Sequence, residues 1–295
     1  MELRQLNYFI RVARRQHVTK AAEELHVAQS AVSRQIHLLE NELGIALFIQ
    51  KGRNLQLTPE GSLFLKRAES IVLELERAVQ EIKDMAEPES GYIRIGFPHS
   101  FGVHMVPSVV SKFRKFYPNA KFRLHQGTYA SLLNDVQEGT VDLALISPIP
   151  EPSEQITGDL LKNEELFVVL PPNHRFANER ELALHQLKDE SFVLFSEGYS
   201  LRPIVWEACL NAGFVPDISF EGEETDTIRG LVAAGMGVSL LPEMALQTTS
   251  ELQPVRIPIV GKKVTRSIGV IYNRKVKLPT LAETFRNFIL NELKH

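Results

Sequence analysis

One run of residues constrains this chain more than any other. From Phe64 to Met85 the apolar positions Phe64, Ala68, Ile71, Leu75, Ala78, Ile82 and Met85 alternate steps of four and three without a break. That is a heptad seam, the pattern by which a helix buries a stripe against another helix. At about 1.5 Å per residue a helix over 59–87 is roughly 40 Å long. A chain of 295 residues suits two or three domains, and 59–87 is expected to be a coiled-coil linker between them in which Phe64, Ala68, Ile71, Leu75, Ala78 and Ile82 dimerise the protein. Thr58-Pro59-Glu60 opens the helix, with proline tolerated in its first turn, and Pro88-Glu89-Ser90-Gly91 closes it. The alternative, a lone amphipathic helix docked on one domain, has little protein of its own to pack on.

Ahead of the seam, residues 1–58 read as short helices and a hairpin. Leu3, Leu6, Phe9, Ile10 and Ala13 recur at helical spacing, and a second helix follows Thr19 with Ala21, Ala22 and Leu25 facing inward. After a break at His26-Val27-Ala28, a third helix runs from about Gln29 to Leu43. Val32, Ile36, Leu39 and Leu43 form its buried stripe and Gly44 stops it. Its other face presents Gln29, Ser30, Ser33, Arg34 and His37.

Two helices across so tight a turn, the second with a hydrogen-bonding outer face, meet the needs of a helix-turn-helix laid in the major groove of DNA. There an arginine such as Arg34 forks onto guanine, a glutamine such as Gln29 pairs with adenine, and serines hold phosphates or bases. An ordinary helical hairpin with a solvated face has the same spacing, and this turn lacks glycine. The residues after Gly44 favour DNA. Ala46–Gln50, the basic turn Lys51-Gly52-Arg53-Asn54 and Leu55–Thr58 make a wing, whose tip cations Lys51 and Arg53 suit a phosphate backbone or a narrow minor groove.

Charge distribution agrees. The whole chain carries a net −3, an argument against nucleic acid by itself, but residues 1–67 hold ten basic and six acidic side chains, leaving −7 for the remainder. A basic head precedes an acidic body. No apolar run approaches the roughly 18–20 residues that cross a bilayer, and the start lacks a signal-peptide core, so a cytoplasmic protein without a membrane partner is expected. The single cysteine, Cys209, can form no intrachain disulfide, and its neighbours Trp206 and Leu210 point to a buried structural thiol.

The string Thr19-Lys20-Ala21-Ala22-Glu23-Glu24-Leu25-His26-Val27-Ala28-Gln29-Ser30-Ala31-Val32-Ser33-Arg34-Gln35-Ile36, followed by Leu38-Leu39-Glu40, Leu43-Gly44, Leu47-Phe48 and Leu57-Thr58-Pro59-Glu60-Gly61, resembles the signature of LysR-type transcriptional regulators. The resemblance implies that Gln29, Ser30, Ser33 and Arg34 lie on the recognition helix and Arg53 in the wing. It further implies promoter DNA, a small-molecule effector and RNA polymerase as partners, and a linker helix that pairs subunits into a homodimer and then a homotetramer.

Beyond Gly91 strands and helices alternate. Strands are expected at Tyr92–Phe97, Lys121–Leu124, Val141–Ile146, Leu166–Leu170, Phe192–Phe195, Ile218–Phe220, Val238–Leu241 and Ser267–Tyr272. Helices are expected at Ser100–Phe116, Tyr129–Glu138, Arg202–Ala212, Thr225–Ala234 and Leu281–Leu293. Such alternation calls for mostly parallel sheets covered by helices. The expected fold class is α+β multidomain: an N-terminal winged helix-turn-helix (1–58), a long linker helix (59–87), and a C-terminal two-lobed α/β effector domain. The resemblance likens that domain to type 2 periplasmic binding proteins, with lobe I at 91–162 and 267–295 and lobe II at 163–266.

Ligands of such sheets sit at the carboxyl ends of strands, near helix N-termini. Ser100 and Thr128 stand at expected helix starts, where each can also act only as a cap. The resemblance places positions matching both in the effector cleft. Phe101 and Ser147 join them from lobe I, and Tyr199, Arg202 and Thr225 from lobe II, with the Arg202 guanidinium suited to a bidentate carboxylate. Gly96-Phe97-Pro98, Ile146–Pro150, Val193–Gly198 and Gly230–Gly237 also resemble the LysR subgroup that controls glutamate synthase genes in Gram-positive bacteria, which implies glutamate or 2-oxoglutarate as effector.

The rival reading is a catalytic α/β domain fused to a DNA-binding head. No nucleophile elbow, phosphate loop or HExxH motif supports it, and the nine histidines are scattered, His99, His104 and His125 lacking ligand spacing. No enzyme activity, cofactor or metal is expected.

Overall fold

The computed structural model describes residues 1–51, 54–86, 91–247 and 252–293, and at 51, 54, 80, 81 and 83–86 the backbone alone. The chain separates into two units, Met1–Ala86 and Glu87–His295.

The first unit contains helices α1 (Leu3–Arg15), α2 (Val18–Glu24) and α3 (Gln29–Leu43), strands β1 (Phe48–Lys51) and β2 (Asn54–Leu57), and the long helix α4 (Pro59–Ala86). Phe9 is its hub: fully buried, its ring meets those of Phe48 at 5.4 Å and Phe64 at 5.1 Å. Ala21 and Ala22 let α2 approach closely. The α2–α3 turn manages without glycine because His26 takes the left-handed conformation, φ 54°. Gly44 does the same after α3, at φ 69°. Leu43, expected in the buried stripe of α3, is exposed, since its place in the last turn lies past the edge of the core.

Side chains tie the hairpin to both helices beside it. Glu40 Oε1 accepts from the N–H groups of Leu47 (2.8 Å) and Phe48 (3.2 Å), fixing β1 against the end of α3. Thr58 Oγ1 donates to Ala46 O at 2.9 Å and accepts from Gly61 N at 2.8 Å, opening α4. The expected seam divides along α4. Phe64 and Ala68 pack into the head's own core, while Ile71, Leu75, Ala78 and Ile82 are exposed. Spacing alone cannot tell which body covers a stripe, and the first turns of α4 lie against Phe9.

The second unit starts with β3 (Gly91–Phe97), α5 (His99–Gly102), α6 (Met105–Phe116), β4 (Ala120–Gln126), α7 (Tyr129–Glu138), β5 (Leu143–Ile146) and β6 (Ile156–Leu170). It continues with β7 (Ser191–Phe195), α8 (Leu201–Asn211), β8 (Asp217–Gly222), α9 (Thr225–Ala233), β9 (Ser239–Pro242), β10 (Val255–Ile257), β11 (Thr265–Asn273) and α10 (Thr280–Leu293). In the first lobe the strand order is β4-β3-β5-β11-β6, with β3 parallel to β4 and β5. Strand alternation serves both faces. Leu143 and Leu145 point toward α6 and α10, where Phe113 and Phe285 meet edge to face at 5.0 Å, while Ala144 and Ile146 point toward Leu132 and Val136 of α7.

The second lobe takes over the far half of β6. Residues 156–165 of β6 pair with β11, and 166–170 pair with β9 and β10. Parallel β7 and β8 complete it, and its core includes Phe192, Phe195 and Cys209. Two expectations need correction. The sheets are mixed, because β11 runs antiparallel to β5 and β6, and β9 and β10 antiparallel to β6. The helix expected over Ser100–Phe116 breaks at Val103-His104 into α5 and α6. The first half of β6 escaped the sequence pattern because Asp159, Lys162, Glu164 and Glu165 interrupt its apolar run. Among the described residues no helix is long and apolar enough to cross a membrane.

A side chain at position 61 tests how tightly α4 is seated, because a Cβ there would stand 2.0 Å from the Leu47 carbonyl oxygen. Gly61→Ala should destabilise the head by about 1–3 kcal/mol, the usual cost of overpacking. Thermal denaturation should show a lowered transition for the head with the second unit unchanged.

Candidate functional site

The first unit offers a polar helix face. Val32, Ile36 and Leu39 hold α3 to the core, so Gln29, Ser30, Ser33 and Arg34 on the opposite side are all exposed. No side chain caps the first turn of α3, which leaves its positive dipole end open to an anion such as phosphate. Much of the head's charge is already engaged: Arg14 pairs with Glu69 at 2.9 Å, and Arg11 and Arg15 with Glu24. Arg34 makes no ion pair among the described residues. Arg53 and the side chain of Lys51, the expected wing-tip cations, lie outside the described residues.

The second unit holds a cavity of about 280 Å³ between its lobes. Ser100 of α5, Thr128 and Ser147 line it from the first lobe, Tyr199 and Thr225 from the second. Thr128 caps α7 as well, accepting from Ser131 N at 3.3 Å, so its two readings coexist. Ser147 is 4% exposed, and its Oγ has no hydrogen-bond partner among the described residues. Such a buried, unsatisfied hydroxyl calls for an acceptor from outside the chain.

Two expected residues are not on the wall. Phe101 is fully buried behind it, in the core beneath α5 and α6, under the Arg266 guanidinium at 5.1 Å. Arg202 is engaged elsewhere: Nη1 donates to Phe195 O at 2.7 Å and to Glu221, and the guanidinium lies 5.8 Å from the Trp206 ring. Its charge is spent within its own lobe, on β8, the strand beside it.

The cation on the wall is Arg266 of β11, only 3% exposed. Its Nε donates to Glu164 Oε2 at 2.7 Å, and Nη2 lies 2.7 Å from the same oxygen without directing a hydrogen bond at it. Burial pulls the guanidinium below its usual pKa, with the Glu164 carboxylate opposing that shift. Sequence reasoning missed Arg266; the available signal was a lone arginine at the head of an apolar strand. His99, Glu223 and Glu224, sequence neighbours of Ser100 and Thr225, line the cavity as well. Glu224 pairs with His99 across the lobes, and Tyr199 is hydrogen-bonded to Glu223, which raises the phenol above its usual pKa. Burial chiefly raises Glu224; His99 lowers it, and Asp226 and Glu223 raise it further. His125 pairs with Asp135 at 3.2 Å, and among the described residues no cluster could hold a metal ion.

A helix-turn-helix head followed by a two-lobed domain with a cavity between its lobes is the build of a ligand-responsive transcription regulator. Comparison with known proteins agrees. Residues 3–62 match the model for "Bacterial regulatory helix-turn-helix protein, lysR family", and residues 86–294 that for "LysR substrate binding domain". The chain belongs to the LysR family of DNA-binding transcriptional regulators, proteins with an effector-binding domain.

Among its relatives is the transcriptional dual regulator GltC of Bacillus subtilis, 43% identical over 290 residues, 98% of this chain and 97% of that one. The DNA-binding transcriptional dual regulator OxyR of Escherichia coli is 28% identical over 92% of this chain and 89% of its own. Full-length CbnR in complex with its target DNA has the same fold, with a TM-score of 0.81 at 24% identity, covering 99% of both chains. The effector-binding domain of QuiR in complex with shikimate aligns at a TM-score of 0.64 and 26% identity, over 70% of this chain and 98% of that one.

Cys209 lies fully buried on α8, and burial pushes its thiol up to about 12. It therefore remains protonated throughout the neutral range, and the thiol is a far weaker nucleophile than the thiolate. Native protein treated with iodoacetamide or hydrogen peroxide at pH 7–8 should show no modification of Cys209 by mass spectrometry, and the denatured chain should be alkylated at once.

Proposed function

We propose that this protein reads promoter DNA through α3 and the hairpin of β1 and β2, pairs with a second copy through α4, and alters its hold on DNA when a small carboxylate enters the cavity. The observation that carries the reading is the conjunction of an exposed Gln29, Ser30, Ser33 and Arg34 face with a cavity containing a buried arginine and an unsatisfied serine. Residues 1–58 are the DNA-binding part, 59–87 the linker, 91–162 with 267–295 lobe I, and 163–266 lobe II. Ser100, Thr128, Ser147, Tyr199, Thr225 and Arg266 are the effector contacts. QuiR supplies a precedent in its complex with shikimate, a carboxylic acid. Likeness to GltC and to regulators of glutamate synthase genes favours glutamate or 2-oxoglutarate. The protein acts by binding rather than by chemistry: a ligand that favours one arrangement of the lobes biases the linker helices and hence the spacing of two DNA-reading heads. Assembly proceeds from homodimer to homotetramer, in the cytoplasm, with RNA polymerase as a further partner.

Arg34→Ala should cost about 1–3 kcal/mol on a specific site and relax preference at one base pair, as the loss of a bidentate base contact does. Gel-shift titrations on specific and scrambled sites decide this; equal losses on both would remove the base-reading role. Ile71 and Leu75, 49% and 44% exposed in the single chain, should be covered in the dimer. Ile71→Glu with Leu75→Glu should lower the sedimentation mass by half, because paired carboxylates in an apolar seam are too costly to bury; an unchanged mass would exclude the seam. In calorimetric titrations with small acids, Ser100→Ala, Thr128→Ala and Ser147→Ala should each weaken binding several-fold. A carboxylate that binds all three variants as tightly as the wild type would move the effector out of this cavity.

A further inference from the structure

One wall of the cavity is not accounted for by a ligand that is only an anion. On the side of β11 and β5 lie Arg266, whose buried Nη2 stands 2.7 Å from Glu164 Oε2 without a well-directed hydrogen bond, and Ser147, whose buried Oγ has no partner among the described residues. Leaving such groups unsatisfied is costly, and one carboxylate can accept from both. Across the cavity, Glu223 and Glu224 line the same space. Between them they have one phenol, Tyr199, and one imidazole, His99. Asp226, off the wall and paired with Arg229 at 2.7 Å, together with Glu223 disfavours the charged form of Glu224 but adds no free carboxylate to the cavity. The Arg266 charge is balanced by Glu164, so the remaining excess on the wall is negative. A dicarboxylate without a cation would bring its second negative charge into the same 280 Å³ as these two glutamates.

We infer that the effector carries an ammonium group beside its carboxylate, as an amino acid zwitterion does, with the carboxylate at Arg266 and Ser147 and the ammonium at Glu223 and Glu224. The inference rests on the carboxylate reading of this cavity and narrows it to one chemical class. An ammonium brings three donors and one positive charge, and the acidic wall offers carboxylate oxygens to take them.

The test is calorimetry on the full-length protein with matched pairs: glutamate against glutarate and 2-oxoglutarate, glutamine against glutaramate, aspartate against succinate, alanine against propionate. The amino acid of at least one set should bind about tenfold or more tightly than its partner lacking the amine, the scale of a charge-assisted contact. Glu223→Gln with Glu224→Gln should abolish that preference, whereas Ser147→Ala should weaken both members of the pair. Should the double variant fail to fold, Glu223→Gln alone carries the test, because that side chain is exposed. An oxo or des-amino acid that binds as tightly as its amino acid, and is weakened by Ser147→Ala, overturns the ammonium site and leaves the carboxylate reading standing. If no acid in any set binds, both readings fall together.

Discussion

The C-terminal unit is organised around one buried ion pair. Strand β6 runs through both lobes, and where β11 lies beside it Glu164 and Arg266 are register partners with side chains only 2% exposed. Taking two charges out of water costs several kcal/mol each, which only close geometry and further hydrogen bonds can offset. Here Glu164 uses both oxygens, one for Arg266 Nε and the other for Met244 N at 2.7 Å. Arg266 in turn lies over Phe101, which roots it in the core of the first lobe. Met244 sits just beyond β9, so a contact made by one carboxylate links the second lobe's strands to the first lobe's core.

This pair also sets the electrostatics of the cavity. The guanidinium is held from behind by Glu164, through Nε and with Nη2 at 2.7 Å, which fixes one cationic group on the cavity wall. The opposite wall is softer. His99 and Glu224 reach each other from different lobes across the cavity, half-exposed and able to exchange a partner within the chain for one from a ligand. A buried cation on one side and an acidic rim on the other give the cavity two faces of opposite charge.

In the head the corresponding constraint is Phe9. Its ring gathers Phe48 from the hairpin and Phe64 from α4, so α1, the hairpin and the long helix start from one packed point. Glu40 and Thr58 add directional bonds to that apolar hub. The early turns of α4 are consumed by the head, and the later ones retain an apolar stripe at Ile71, Leu75, Val79 and Ile82. One helix thus packs into the head along its first turns and leaves an apolar stripe open along its later ones.

The sequence alone determined the head almost completely, since helix period, a tight turn and a wing are local patterns, and the buried positions of α3 follow from spacing within one helix. It also determined the alternation of strands and helices and set Ser100 and Thr128 at helix starts, because capping and turn residues write those ends, whereas a shared cleft for Ser100, Thr128, Ser147, Tyr199 and Thr225 was implied only by the family resemblance. What only the tertiary structure decided depends on residues far apart in the chain. Arg266 and Glu164 are separated by 102 positions, and nothing local distinguishes their charges from solvated ones. Arg202 looked equally suited to a ligand until Glu221 and the Phe195 carbonyl were found to claim it. The same holds for α4, whose heptads name an apolar face without naming what covers it. Local patterns encode which face of an element is apolar, whereas the partner of a charge or a stripe is settled by topology, through pairings that no short window of sequence contains.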